Sequence, residues 1–258
     1  MQRPMSARAA KVSIAAVVVF LTAVGGVHAA ELTLLSPQAM KPALSELIPQ
    51  FERISGRKIT VVYAAGSIHV KNIQDEQTAD VAILSPDQIE ELQESNKIVE
   101  DSVTRIAKAE LGLIVRKGAP KPDMGTVRTL RHTLLAATAI ALGDPDNSVS
   151  GEYFTELIER LQIADAVKPK IKTFATAPEA LQAVANGEAD LAVGVVSTAN
   201  GPETELAGVL PAQAKKINSY SAGILTGGHQ TQAAKELIAF LASSTALKVL
   251  KSKGFVAP

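Results

Sequence analysis

The sequence predicts an α/β protein of two lobes, in which mainly parallel sheets flanked by helices enclose a ligand cleft. Three observations support this fold class. Short apolar, β-rich runs alternate with helical patterns, as in other α/β proteins. The alternation occurs in two cycles, separated by the Gly- and Pro-rich stretch 118–122. The segment 219–258 begins no third cycle, so we expect it to return to the first lobe.

The first 30 residues have the three-part pattern of a secretory signal peptide. Arg3, Arg8 and Lys11 give a positively charged start, the stretch 12–24 is apolar, and small residues follow up to Ala30. A membrane-spanning helix needs about 20 apolar residues, and a lipoprotein anchor needs a cysteine, which the sequence lacks. We therefore expect cleavage after one of the two alanines that end the segment, no stable membrane insertion of the product, and a periplasmic or secreted location.

The composition excludes several classes of function. Residues 1–30 hold three of the 26 basic residues and no acidic residue, so the remainder has 23 basic and 26 acidic residues, a formal net charge of −3. Nucleic-acid binding relies on clustered Lys and Arg, so we predict no nucleic-acid partner. The absence of cysteine excludes disulfides, thiolate metal sites and cysteine nucleophiles. Aromatic residues make up 3% of the chain, which disfavours ligand recognition by ring stacking.

The first lobe is predicted to contain residues 31–116 and 222–258. It begins with a strand at 32–35 and a helix opened by Ser36, whose apolar stripe runs from Leu44 to Ile54. Pro49 interrupts that stripe and should kink or shorten the helix. The other elements predicted for this lobe are strands at 58–63, 80–84 and 109–116, helices beginning near Ile68 and at Pro86, and C-terminal helices at 231–242 and 245–253.

The second lobe is predicted to contain residues 117–221. Its chain should cross back near Tyr220, within a strand at 219–225. Asp80 and Asp190 occupy matching positions before apolar runs in the two lobes, and we assign them capping or turn-forming roles rather than acid–base chemistry. The elements predicted for the second lobe are strands at 137–142, 171–174 and 191–196, and helices from Ser150 to about Leu161 and from Pro178 to Asn186.

Catalytic signatures are absent from the sequence. It contains no His-Glu-x-x-His, Gly-x-Ser-x-Gly, phosphate-loop or dinucleotide motif, and His69, His132 and His229 lack metal-ligand spacing. We therefore predict a protein that is not an enzyme and has no catalytic residue, bound metal or cofactor. An exported hydrolase with Ser67 or Ser150 as its nucleophile is the weaker alternative, because it needs a histidine and an acid nearby.

Four strand-to-helix junctions carry small or hydroxyl residues. In a parallel α/β sheet such junctions lie at the carboxyl ends of the strands, where ligands bind. Their unpaired backbone N–H groups and helix dipoles bind anions without a fixed cationic side chain. Ordinary N-capping explains any one junction, whereas four together favour a shared site. The junctions are Ser36 before Pro37, Gly66-Ser67, Ser148 to Gly151, and Thr176-Ala177 before Pro178.

Several short segments occur in a specific order and spacing along the chain: Leu32–Ser36, Phe51–Lys58, Ala79–Leu84, Leu142–Pro145 followed by Ser150-Gly151, Gly187–Asp190, and Ala239–Ser244 followed by Lys253–Phe255. Together they make the whole mature chain resemble the molybdate-type family of bacterial extracellular solute-binding proteins, the periplasmic components of ABC importers. The resemblance implies a type II periplasmic-binding-protein fold. It also implies that two lobes close on a tetrahedral oxyanion held by backbone amides and hydroxyls, and that an ABC permease receives this solute.

The resemblance also assigns ligand positions. The family's first-loop serine falls on Ala39, its second loop corresponds to 64–67 with Ser67 one place late, and its tyrosine falls near Val195. Three side-chain hydroxyls are therefore missing or displaced, which lowers the affinity expected for molybdate by about 1 kcal/mol for each hydrogen bond. The complete set of candidate ligand-binding residues is Ser36, Ala39, Ala65, Gly66, Ser67, Ser150, Gly151 and Ala177.

The sequence therefore predicts an exported, monomeric solute-binding protein that captures a small anionic solute, a molybdate- or tungstate-like oxyanion, for an ABC transporter permease. The displaced hydroxyls keep a second possibility open. In that case the same fold binds a different small ligand such as a carboxylate, or senses a partner.

Overall fold

The computed structural model describes residues 31–146 and 148–258, so the expected signal peptide lies outside the described residues. The strands are β1 Glu31–Pro37, β2 Lys58–Ala64, β3 Val81–Leu84, β4 Thr104–Arg116, β5 Ile140–Gly143, β6 Ile171–Phe174, β7 Leu191–Val195, β8 Thr204–Val209, β9 Ile217–Ile224 and β10 Phe255–Val256. The helices are α1 Lys41–Ser55, α2 Gly66–Gln74, α3 Pro86–Glu94, α4 Val127–Ala136, α5 Val149–Arg160, α6 Ala164–Val167, α7 Ala177–Asn186, α8 Thr231–Leu241 and α9 Ser244–Ser252.

Two groups of parallel strands are joined by long antiparallel ones. β1 pairs in parallel with β2 and β3, and β5 pairs in parallel with β6 and β7. Between these groups β9 pairs antiparallel with β3 and β4, and β4 pairs antiparallel with β7. The strand order is β2-β1-β3-β9-β4-β7-β5-β6, with β8 and β10 also paired to β4. The α/β class predicted from sequence is confirmed, although the strands that join the two parallel groups make the sheet mixed.

Strand β4 belongs to both halves of the molecule. Its first part, as far as Glu110, pairs with β9, whereas the part from Leu111 pairs with β7 and β8. The change of partner precedes the expected boundary after Arg116, because β4 is one 13-residue strand that continues past the crossing point. β9 pairs with β3 and β4 from Ile217 onward. We therefore propose a division into lobe 1, residues 31–110 and 217–258, and lobe 2, residues 111–216.

Each lobe has its own apolar core. In lobe 1, α1, α8 and α9 pack on the sheet, and the core residues come from both ends of the chain, including Leu44, Phe51, Leu237 and Phe255. In lobe 2 the largest fully buried side chain is that of Phe154 on α5. Val195, at the end of β7, packs against both cores. The lobes therefore share a seam next to the point where β4 crosses.

Helix α1 differs from its predicted form. It begins at Lys41 because Gln38–Met40 form a separate 3-10 turn. Pro49 lies inside the helix without ending it, since the side chain faces solvent and water can satisfy the carbonyl that loses its partner. Ile54 is 76% exposed, so its assignment to the core stripe was wrong; Phe51, at 4%, is the last core residue of the helix.

Four elements were not predicted: α4, α6, β8 and β10. α4 buries only Leu130 and Leu134 between charged positions, and α6 and β10 are too short to give a periodic pattern. β8 was not recognised in the sequence because it contains Gly208, and glycine is a poor strand former. Within the described residues, the helices are too short or too polar to cross a membrane.

Candidate functional site

The parallel strands of lobe 1 bring its two candidate loops together. Across the β1–β2 pair, Ser36 lies opposite Tyr63 and Pro37 lies opposite Ala64. Both strands end at the same edge of the sheet, so the turn that contains Ala39 and the start of α2 are neighbours. The side chain of Ser36 is fully buried, and its hydroxyl donates only a long 3.3 Å hydrogen bond to the Pro37 carbonyl. The hydroxyl of Ser36 is therefore shielded from solvent in this conformation.

The start of α2 presents backbone donors. Ala65 is its N-cap and makes no side-chain cap hydrogen bond. The first amide to bond within the helix is that of His69, which donates to the Ala65 carbonyl at 3.1 Å. The preceding amides of Gly66, Ser67 and Ile68 therefore have no partner inside the helix. Ala65 and Gly66 are half-buried, and Ser67 is exposed.

The loop after β5 in lobe 2 is tightly packed. α5 begins at Val149, one residue before the predicted start at Ser150. Its N-cap is Ser148, whose hydroxyl accepts a hydrogen bond from the Gly151 amide at 3.3 Å. Ser150 is only 2% exposed, and its hydroxyl lies 2.9 Å from that of Ser148. A Cβ added to Gly151 would lie 2.2 Å from the Gly143 carbonyl oxygen. Gly151 is therefore a packing position that brings α5 against the end of β5.

The start of α7 meets the same point. Gly143 pairs with Phe174 across β5 and β6. A Cβ added to Gly143 would lie 3.0 Å from the Ala177 nitrogen and 2.9 Å from the side chain of Ser148. Thr176 caps α7 by accepting from the Glu179 amide at 3.4 Å. The structure thus brings Gly151 and Ala177 together around Gly143, with Ser150 beside Ser148 in the same loop.

The two lobes meet at the first loop. The hydroxyl of Ser197, which follows β7, donates to the Ala39 carbonyl at 2.9 Å. Close by, a Cβ added to Gly254 would lie 3.0 Å from the Val196 side chain. Ser197 was not singled out from the sequence. Its partner is 158 residues away, and no local pattern indicates such a contact.

His69 is a second residue that the sequence analysis left outside the candidate set. It is fully buried on α2, and its Nε2 lies 3.1 Å from the Ser36 carbonyl oxygen. Because a carbonyl only accepts, Nε2 is the protonated nitrogen, and the buried Nδ1 has no partner among the described residues. Burial lowers the pKa of His69, and the bond to Ser36 opposes this only in part. A neutral imidazole therefore joins the end of β1 to the start of α2.

The described residues offer little support for a catalytic serine or a metal. His69 contacts Ser36 rather than Ser67, and Ser150 has Ser148 as its polar neighbour. Within residues 31–146 and 148–258 no group of three or more His, Cys, Asp or Glu side chains is arranged to hold a metal ion. Two surface depressions lie in lobe 2, one lined by residues including Arg131 and Glu159, and neither includes a candidate site residue.

Comparison with known proteins identifies a family over nearly the whole described chain. Residues 32–256 match the family described as bacterial extracellular solute-binding protein. The curated relatives include an aconitate isomerase from a Pseudomonas species, 27% identical over 230 residues and 86% of each chain. They also include the molybdate-binding protein ModA of Haemophilus influenzae, 22% identical over 88% of this chain and 91% of its own.

A solved structure supports the same fold. The periplasmic molybdate-binding protein of Azotobacter vinelandii superposes with a TM-score of 0.74 at 17% identity, covering 88% of this chain and 99% of that chain. At this level of identity the superposition describes the fold.

Proposed function

This chain belongs to the family of bacterial extracellular solute-binding proteins, and on that basis we propose that it captures a small organic carboxylate and delivers it to an ABC importer. The carboxylate is the alternative ligand of the sequence analysis, and it replaces the molybdate-like oxyanion. One observation carries this choice. At the start of α2, which follows β2, backbone amides without a partner inside the helix lie beside the exposed Ile68 side chain, while the hydroxyls of Ser36 and Ser150 are buried.

The available hydroxyls do not suit a tetrahedral oxyanion. Ser36 and Ser150 are 0% and 2% exposed, so neither offers its hydroxyl to a solute in this conformation. The resemblance places the family's serine at Ala39 and its tyrosine near Val195, and neither of these two residues has a hydroxyl to offer. Ser67 is the exposed serine of the candidate set. The affinity lost is about 1 kcal/mol for each missing bond, and more for bonds to a charged ligand.

Apolar side chains stand where a carbon skeleton would lie. Ile68, in the first turn of α2, is 40% exposed, and Val149, the first residue of α5, is 47% exposed. The amides of Gly66 and Ser67 adjoin Ile68, so a carboxylate held there would place its carbon atoms against that side chain. An inorganic oxyanion has no apolar part to remove from water, whereas each buried CH₂ of an organic acid contributes about 0.8 kcal/mol.

The relatives allow both ligand classes. One is named for molybdate and another for aconitate, a carboxylate. The protein named for aconitate shares 27% identity with this chain and the one named for molybdate 22%. Delivery to an ABC importer is supported by a further relative named as a putative ABC transporter substrate-binding lipoprotein.

A thermal-shift and calorimetric panel tests the proposal on the mature protein. The solutes are aconitate, citrate, succinate, molybdate, tungstate and sulfate. A ligand at about 100 times its Kd adds roughly 2.7 kcal/mol to the free energy of unfolding, which raises the melting temperature by about 5–10 °C for a chain of this size. We expect a carboxylate to do so. A shift with molybdate and tungstate, and none with the carboxylates, would overturn the proposal.

Two variants make the choice of ligand class sharper. Ala39→Ser restores a hydroxyl at the family position, and we expect it to strengthen molybdate binding about fivefold or more. Val149→Ser replaces an exposed apolar side chain at the start of α5 with a smaller polar one. It should weaken carboxylate binding several-fold and leave the affinity for molybdate unchanged. If Val149→Ser leaves carboxylate affinity unchanged, the carbon skeleton does not lie against α5.

A second candidate function is isomerisation of an unsaturated carboxylate, because one relative is named as an aconitate isomerase. Family members are mostly binding proteins, which favours binding alone. Incubation of the protein with one aconitate isomer, followed by proton NMR, separates the two. Appearance of the other isomer, faster than in a sample without protein, supports catalysis, whereas binding without conversion supports transport only.

A further inference from the structure

His69 connects the start of α2 to the first loop of lobe 1, residues 36–40. It is the fourth residue of α2, two positions after Ser67, and its side chain is fully buried. Its Nε2 donates a hydrogen bond of 3.1 Å to the backbone carbonyl of Ser36, near the end of β1. Because a helical turn is rigid, this bond fixes the direction of the Gly66 and Ser67 amides relative to the first loop.

The buried imidazole is poorly suited to a role in packing alone. Once Nε2 donates to Ser36, Nδ1 is left as an acceptor, and it has no partner among the described residues. A buried polar atom without a partner destabilises the fold, and the other buried side chains of α2, Val70 and Ile73, are apolar. Packing would therefore favour an apolar side chain at position 69. The imidazole supplies what such a side chain cannot, the bond to the Ser36 carbonyl.

His69 acts through its position rather than through a charge. Burial lowers the pKa of His69 below its usual range, and the hydrogen bond to Ser36 opposes this only in part. The side chain is therefore neutral at neutral pH. A neutral imidazole adds no net charge to the start of α2, so its influence on an anionic solute held there is geometric.

The first loop is also held from lobe 2. Its Ala39 carbonyl accepts the hydrogen bond of 2.9 Å from the Ser197 hydroxyl. Ser36 and Ala39 are three residues apart, so bonds from α2 and from the segment after β7 hold the two ends of one short turn. Both donor side chains are buried, at 0% and 8% exposure. The start of α2 and the seam between the lobes are therefore connected through the backbone of the first loop.

We propose that His69 is a positioning residue for solute binding, which holds the start of α2 against the first loop so that the amides of Gly66 and Ser67 point at one carboxylate. This inference rests on the proposed function and deepens it. Amides that are already held in the binding geometry bind an anion more tightly than mobile ones, since less freedom is lost when the solute binds. The solute does not touch His69, whose side chain is shielded from solvent. Every carboxylate that uses these amides therefore depends on the bond to Ser36.

Isothermal titration calorimetry of the mature protein with aconitate and succinate, well below the melting temperature of each variant, tests this assignment. His69→Leu removes the donor and keeps a buried apolar side chain, and it should weaken binding about 5- to 10-fold, as expected for one hydrogen bond. His69→Gln keeps a side-chain N–H at a similar reach and should stay within about twofold of wild type. Ile73→Val is the matched control, since it trims the same buried face of α2 without touching the Ser36 bond. It should lower the melting temperature by about 2–5 °C and leave the affinity unchanged.

Heteronuclear NMR gives a second readout, which does not depend on the folding of His69→Leu. In the wild-type protein the Nε2 of His69 should carry the proton and Nδ1 should not. Saturation with aconitate should shift the amide resonances of Gly66 and Ser67, and the same two amides should shift in His69→Gln. A proton on Nδ1 in place of Nε2 would overturn the assignment, since Nε2 could not then donate to Ser36.

The outcomes separate the two hypotheses. If the wild-type protein binds aconitate or succinate and His69→Leu binds them equally well, the His69 assignment is wrong and the carboxylate proposal stands. The same conclusion follows if His69→Gln is as weak as His69→Leu, or if Ile73→Val loses as much affinity as His69→Leu, because general loosening of α2 would then be the cause. If the wild-type protein binds none of the carboxylates, the proposed function fails and the assignment fails with it.

Discussion

The hydroxyl of Ser197 donates a hydrogen bond to the backbone carbonyl of Ala39 at 2.9 Å, and thereby joins the segment after β7 in lobe 2 to the first loop of lobe 1. Ser197 is 8% exposed, so the bond is largely shielded from water. Val195, two residues before Ser197, packs against both cores. The contact between Ser197 and Ala39 is therefore part of the seam between the lobes.

We expect Ser197→Ala to lower the free energy of unfolding by about 1 kcal/mol, since it leaves the Ala39 carbonyl without its hydroxyl partner. Urea denaturation measures the change. Ser252→Ala is the matched control, because the Ser252 hydroxyl also donates to a carbonyl, that of Val249, but within one exposed helix turn. The control should change the stability by less than about 0.5 kcal/mol. Equal losses in both variants would mean that the seam contact has no special weight.

Asp80→Asn should destabilise the protein by about 2 kcal/mol. Both carboxylate oxygens of Asp80 accept from backbone amides: one from His229 and Gln230 at 3.0 Å, the other from Thr33 at 2.8 Å. An asparagine has only one acceptor oxygen, so at least one buried amide loses its partner. Thermal denaturation at neutral pH gives the comparison with wild type.

Asp190→Asn is the natural control for Asp80→Asn, because Asp190 occupies the equivalent position in lobe 2. There a single oxygen accepts from both Thr138 and Ala139, at 2.6 and 3.2 Å. An asparagine can keep its amide oxygen in that place, so we expect a loss below about 1 kcal/mol. A larger loss for Asp190→Asn than for Asp80→Asn would contradict this explanation.

Gly151→Ala should be far more damaging than Gly66→Ala. The added Cβ at Gly151 would lie 2.2 Å from the backbone oxygen of Gly143, and the backbone must shift, at a cost of about 3 kcal/mol. At Gly66 the Cβ would lie 2.4 Å from the end of the Gln88 side chain, which can rotate away at the expense of its capping bond to Ser85. The second loss should stay below about 1 kcal/mol. The melting temperatures of the two variants, each compared with that of wild type, measure the two losses.

Acid should destabilise the wild-type protein through His69. Burial holds the pKa of His69 below its usual range, so the unfolded chain takes up a proton at about pH 6.5 while the folded protein does not. This contribution to stability is complete above pH 6.5 and falls as the pH drops toward the lowered folded-state pKa. We expect a shallower pH dependence of the unfolding free energy for His69→Gln in that window.

The positions of the helix starts could be predicted from sequence, whereas the directions of their side chains could not. Thr176 caps α7 at the predicted junction because Thr has a strong local preference there, whereas α2 begins at Gly66, two residues before the start predicted near Ile68. Ser36 was expected to line a cleft, yet it lies on the buried side of β1. Strand alternation turns this side chain toward the face of the sheet that carries Leu32 and Leu34, where segments distant in sequence cover it. The contact between Ser197 and Ala39 depends on two distant segments, so no local preference encodes it.

The residue at which β4 passes from one lobe to the other was equally hard to predict. The boundary expected after Arg116 follows the Gly- and Pro-rich signal at 118–122, which ends β4 correctly. Glycine and proline indicate where an element ends. However, β4 changes its partner from β9 to β7 between Glu110 and Leu111, inside an uninterrupted strand. Only the pairing with β9 and β7 shows where β4 passes from the strands of one lobe to those of the other.

The composition of the first core has a consequence for the order of assembly. It packs residues of β1 and α1 with residues of β9, α8 and β10, so it cannot close until nearly the whole polypeptide has emerged. The second core uses one continuous stretch of chain, which pays a smaller loop-closure entropy and can form first. Until β9 pairs with β3, the strands β1 to β3 would expose apolar surface. A chaperone that holds unfolded chains would have the most surface to cover at that stage.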